Sequence, residues 1–172
     1  LEENERDNVV DTPRPLPDFV IEEPVLSADR LTFGLSNRGH ASITTPLLIR
    51  LQWTTTGGGQ VGDFYEFEVL EPLAAGASYR FDSNNNTEVD NYISSPPDTE
   101  DRRSKKLGIY VDYHSSITEI SEQNNETVVD RPQADLTITN LVLENGRTTF
   151  RMRNNGVVAV AQPFTIRFSW IN

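Results

Sequence analysis

The sequence predicts an all-β fold of antiparallel sheets packed as a sandwich and repeated in tandem. Three observations carry this: apolar and polar residues alternate, turn-forming residues separate the alternating runs, and one stretch of the chain recurs. Alternation also assigns faces, because successive side chains of a strand point to opposite sides of its sheet.

Leu31, Phe33 and Leu35 alternate with Thr32, Gly34 and Ser36, so one face of that strand belongs to a core. Leu47, Ile49, Leu51 and Trp53 alternate with Arg50 and Gln52 in the same way. Tyr65, Phe67 and Val69 are expected to point inward, with Phe64, Glu66 and Glu68 outward. Ile109, Val111 and Tyr113 are expected inward, with Tyr110 and Asp112 outward. Asn37-Arg38-Gly39, Gly57-Gly58-Gly59, Ala75-Gly76 and Asn84-Asn85-Asn86 fall between the runs and tolerate the positive φ of tight turns. No segment shows a helical period, and Ser83 to Ser104, with Pro96-Pro97, reads as an inserted loop. Short strands at this spacing, with a Trp on the third, give an immunoglobulin-like antiparallel β-sandwich.

Residues 17–53 lie over residues 134–170 without a gap, at a constant offset of 117 positions. Identities include Asp18/Asp135, Phe33/Phe150, Asn37/Asn154, Gly39/Gly156, Pro46/Pro163, Arg50/Arg167 and Trp53/Trp170. Phe164, Ile166, Phe168 and Trp170 repeat the inward set of the third strand. Residues 2–11 read like residues 122–130, Val9-Val10-Asp11 matching Val128-Val129-Asp130. The chain therefore divides into 1–11, the last strand of a preceding module; 12–16, a Pro-rich extended linker; 17–131, a complete module; and 134–172, the first strands of a following one. An opened sandwich exposes sheet edges and half a core, so the polypeptide is expected to continue on both sides.

A net charge of −11 and a pI near 4.6 argue against nucleic acid, which needs clustered Lys and Arg. The basic group Arg102, Arg103, Lys105, Lys106 has Asp98, Glu100 and Asp101 beside it. The absence of cysteine removes thiol nucleophiles, disulfides and thiolate metal sites. No apolar run approaches the ~18 residues of a membrane span.

Several stretches resemble the cell-adhesion-related domain found in bacteria, CARDB. These are Pro17-Asp18-Phe19-Val20-Ile21, the Asn37-Arg38-Gly39 turn, Leu70 to Gly76, and above all Val111-Asp112 followed by Ile117 to Thr127, which is similar to that family's acidic ending with paired Asn. The resemblance implies a repeated, extracellular, non-catalytic module of surface or secreted proteins. The Ser83 to Ser104 insertion and the bulky Gln52-Trp53-Thr54 stretch depart from the family pattern.

His40 falls in a turn and His114 near a strand end, and neither completes a Ser-His-acid set, so no catalytic residue is expected. Gly57-Gly58-Gly59 lacks the Lys-Ser of a phosphate loop. Calcium is the one cofactor worth weighing, with Asp112, Glu119, Glu122 and Asn124 as candidate ligands, because hard cations want clustered oxygens. Against it, Asn124 and Asn125 could cap a turn while the acids stay solvated. Asn85 and Asn125 begin N-glycosylation sequons. The expected function is a non-catalytic extracellular structural or adhesion module in a stalk, adhesin or filament at the cell surface. Its expected partners are neighbouring modules or identical subunits. The alternative is a glycan- or protein-binding accessory module of a larger secreted protein, using the insertion or the exposed Phe64 and Tyr110.

Overall fold

The structure, a computed structural model, describes residues 13–28, 30–98, 104–160 and 163–169. The segment expected to be the last strand of a preceding module, 1–11, lies outside them. Alternating residues build the strands β1 (Phe19–Leu26), β2 (Leu31–Asn37), β3 (Leu47–Thr54), β4 (Tyr65–Val69) and β5 (Ser78–Asp82). The helix α1 (Thr87–Ser94) follows, then β6 (Lys106–Val111), β7 (Glu126–Asp130), β8 (Leu136–Glu144) and β9 (Arg147–Asn154).

Two antiparallel sheets face each other, one ordered β1-β2-β5 and the other β4-β3-β6-β7. This is a sandwich of the immunoglobulin type in which the fourth strand joins the sheet of the third, sixth and seventh. Its core is the set that alternation selects. Phe19, Leu31, Phe33, Leu35, Ile49, Leu51, Leu107 and Ile109 have no exposed surface, and Trp53 is 1% exposed. Each such side chain contributes roughly 1.5–3 kcal/mol on burial. Phe33 stacks on Phe81 within one sheet, centroids 4.8 Å apart, and Phe81 meets Phe67 of the facing sheet in a tilted contact at 4.9 Å.

Three features depart from the sequence reading. The insertion is not all loop, since it contains α1. The Asn86 side chain caps α1 by accepting from the Glu88 and Val89 amides, Glu88 and Asp90 sit in its first turn, and Val89 and Ile93, four residues apart, are buried. The inward order of β6 also ends at Val111. Asp112 takes φ 46° and is buried, while Tyr113 is turned outward and exposed, because the chain leaves the sheet at that residue. Finally, the repeat of β3 is not a strand here. Among the described residues 163–169 no strand forms, Phe164 and Phe168 are exposed, and Trp170 lies outside the description.

β8 and β9 form a separate two-stranded sheet that duplicates β1 and β2. Phe19 pairs with Asn37 and Leu136 with Asn154; Ile21 pairs with Leu35 and Ile138 with Met152; Leu26 pairs with Leu31 and Leu143 with Thr148. Both first strands bulge at the same place, with Glu23 at φ 46° and Asn140 at φ 54°. Both hairpins close with the same side-chain bonds. Asn37 Oδ1 accepts from the Asp18 and Gly39 amides, and Asn154 Oδ1 from those of Asp135 and Gly156. Asn37 Nδ2 donates to the Ala41 carbonyl, and Asn154 Nδ2 to that of Val158. Gly39 is required because a Cβ there would run into the backbone of Leu16 and Pro17. Gly156 meets the backbone of Gln133 to Asp135 in the same manner.

Candidate functional site

Three constellations emerge, and the first is built from the residues weighed for calcium. Leaving β6, the Asp112 carboxylate turns back on its own loop and accepts the amides of Ser116, at 3.0 Å, and Ile117, at 2.7 Å. Glu119 is buried against the start of β1. Its Oε2 accepts the Phe19 amide and its Oε1 the Asn125 side-chain amide, both at 2.6 Å. Burial pushes the Glu119 carboxyl up to about 7; the Phe19 and Asn125 bonds oppose the rise, and the negative charges of Glu122 and Asp112 add to it. Glu122 accepts the Glu119 amide at 3.2 Å. Asn124 does not cap its own turn but donates across the fold to Asp18, at 2.9 Å. Ile120 N–H reaches the Pro17 carbonyl at 2.9 Å.

The structure thus gathers Glu119, Glu122 and Asn125 and joins Asn124 to Asp18, whereas Asp112 spends both carboxylate oxygens on backbone amides. Among the described residues no three Asp, Glu or His side chains are grouped to hold a metal ion. The arrangement ties the loop 112–125 to the first residues of β1. Asn125 is buried and its amide nitrogen is engaged, whereas Asn85, on a 3-10 turn before α1, is exposed as a glycan acceptor must be.

The second constellation covers the outer face of the four-stranded sheet. Arg50, 7% exposed, lies between the rings of Phe64 and Tyr113, its guanidinium carbon 3.9 and 3.6 Å from their centroids. Its Nε donates to Glu66 at 2.8 Å, and His114 Nε2 lies 3.5 Å from the same carboxylate. Tyr113 meets Tyr110 edge to face at 5.5 Å. Phe64 and Tyr110 do share a face, linked through Arg50 and Tyr113. The sequence signal for this cluster was a single Arg at an outward position of β3, recurring as Arg167. His114 belongs to it, and His40 sits exposed on the first hairpin's turn, so neither approaches a hydroxyl nucleophile by any hydrogen bond among the described residues.

The third constellation is the junction after β7. Arg131 Nη1 donates to both Asp98 oxygens at 3.0 Å and to the Ser104 carbonyl at 3.1 Å, and its guanidinium lies 5.8 Å from the Trp53 ring. Arg131 N–H reaches the Lys105 carbonyl at 2.8 Å, and Lys105 Nζ donates to Gln133 at 2.9 Å. Nothing in the sequence marked Asp98 or Gln133 as partners of this junction.

No protein-family model and no curated sequence matches the chain. Among the described residues no helix is long and apolar enough to cross a membrane.

Proposed function

We propose that the chain is a non-catalytic, CARDB-like structural and adhesion module displayed outside the cell, part of an array in which sandwiches follow one another along a stalk or fibre. The observation that carries this reading is the junction. A flexible tether would leave residues 131–133 to solvent, yet Arg131 and Gln133 are bonded to the body of the sandwich through Asp98, Ser104 and Lys105. A linker held in this way transmits direction from one unit to the next, as a spacer requires and a loose string of binding domains does not. The acidic surface keeps such an array soluble and extended through mutual repulsion.

Within this reading the outer face bearing the exposed rings of Phe64 and Tyr113, held apart by the buried Arg50, is the adhesive one, since aromatic rings are among the groups that dominate protein contact surfaces. Labelling intact source cells with an antibody raised against residues 17–131 tests the proposal. Binding without lysis is expected, and signal only after lysis would overturn it.

A further inference from the structure

We infer that a cavity at the edge of the outer face, walled by Tyr110 and Tyr113 and rimmed by Glu122, Asn125 and Glu126, receives the ε-ammonium of a lysine from a basic protein partner. This rests on the reading of that face as the adhesive one and names the chemistry it takes.

The cavity has a volume of about 170 Å³ and adjoins the Arg50 cluster through Tyr113. That cluster shows how the face holds a cation. The Arg50 guanidinium lies between two rings, Phe64 and Tyr113, and donates to the Glu66 carboxylate. The cavity repeats this composition further across the sheet, where paired residues run Glu66, Arg50, Tyr110, Glu126. Two rings, Tyr110 and Tyr113, meet edge to face at 5.5 Å beside the carboxylates. Among the described residues no Lys, Arg or His lines the cavity.

Its polar groups are acceptors in want of donors. Asn125 is 7% exposed and commits its amide nitrogen to Glu119, while its Oδ1 is buried and has no hydrogen-bond partner among the described residues. A buried acceptor calls for a donor. Glu126 makes no ion pair among the described residues. Burial first, and the Glu126 charge second, hold the Tyr110 hydroxyl above its ordinary value, which places that carboxylate within electrostatic reach of the ring. Asp112 also lines the cavity, but its two oxygens are spent on the Ser116 and Ile117 amides.

These acceptors suit an ammonium better than a metal ion. Calcium takes ~6–8 oxygens, and among the described residues no three Asp, Glu or His side chains are grouped to hold a metal. An ammonium has three donors and gains from aromatic walls. A guanidinium already fills the flat slot between Phe64 and Tyr113, whereas the compact head of a lysine fits acceptors on three different side chains. The net charge of −11 draws a basic partner to the surface.

NMR titration of the 172-residue chain with acetyl-lysine methylamide, and with its uncharged norleucine analogue, tests this. Amides of Tyr110, Tyr113, Glu122, Asn125 and Glu126 are expected to shift saturably with the lysine probe, and the norleucine probe to bind at least ~10-fold more weakly. Glu126→Gln, at an exposed position, should keep the fold and weaken the lysine probe at least ~3-fold. Equal response to the two probes, or unchanged affinity in Glu126→Gln, would overturn the inference. So would millimolar calcium chloride that moves the same amides and displaces the lysine probe at matched ionic strength, which would make the cavity a metal site. Equal response to the probes, with antibody still binding intact cells, would remove the lysine site and leave surface display standing.

Discussion

The Glu119 carboxylate accepts the Phe19 amide at 2.6 Å across 100 positions of chain, closing the last loop of the sandwich onto its first strand. Burial with a single backbone donor and one Asn leaves this carboxyl harder to ionise than usual, near 7 against an ordinary 4.5. A carboxyl raised on folding stabilises the fold fully below its unfolded value, and that share is lost as pH rises through the folded value. Glu22, Asp82 and Asp98 are held low, so their contributions disappear only as pH falls through the acid range and do not obscure this one. Between pH 5 and 8 the native chain should lose roughly 2 kcal/mol that the variant Glu119→Gln does not lose. Urea unfolding midpoints of both proteins at the two pH values measure this, and parallel pH dependence would contradict it.

Asn37 has no exposed surface and serves four partners, accepting from the Asp18 and Gly39 amides and donating to the Ala41 and Leu73 carbonyls. Removing the side chain orphans all four, at roughly 1–3 kcal/mol for each one that water cannot reach. Asn37→Ala should destabilise the sandwich by at least ~3 kcal/mol in chemical denaturation, and Asn37→Asp nearly as much because a carboxylate cannot donate to the two carbonyls. A loss under ~1 kcal/mol for Asn37→Ala would mean the turn is held by backbone bonds alone.

Trp53 fills the core at the end of β3, and its indole N–H donates to the Tyr92 carbonyl at 3.3 Å. Trp53→Ala should cost about 3–5 kcal/mol through lost contacts and the cavity left behind. Tyr92 carries a separable share, since its hydroxyl accepts the Trp53 amide at 3.4 Å and donates to the Asp63 carbonyl at 2.9 Å. Tyr92→Phe should therefore cost about 1 kcal/mol. Thermal unfolding of the two variants separates packing from hydrogen bonding, and equal losses would show that α1 docks by its bonds rather than its bulk.

The core and the duplicated hairpin were legible because both depend on local pattern: period-two burial at Leu31 to Leu35 and Leu47 to Trp53, and an Asn-x-Gly turn at a fixed offset. α1 was not, because eight residues with two buried apolar positions give too little period to detect inside an Asn-rich loop. Asp112 and Tyr113 depart from the faces that alternation predicts because alternation assumes extended backbone, and one residue at φ 46° reverses every later position. The Arg131 to Asp98 and Glu119 to Phe19 contacts join residues 33 and 100 positions apart, and such pairings follow from the closed fold rather than from any local signature.

The junction gives the sharpest mechanical prediction. Arg131 is held by Asp98 and the Ser104 carbonyl with about a quarter of its side chain exposed, so the ion pair is only partly screened by solvent. Arg131→Ala removes the link between residue 131 and the base of the 98–104 segment while leaving the core beyond Trp53 untouched. Stability of the sandwich should fall by about 1 kcal/mol or less. The larger effect should be dynamic: amide relaxation in β8 and β9 should decouple from that of β3 and β6, as expected when a held linker becomes a flexible one. Unchanged relaxation in the variant would show that Lys105 and Gln133 suffice to hold the junction, and the double variant Arg131→Ala, Gln133→Ala would then be the one to loosen it.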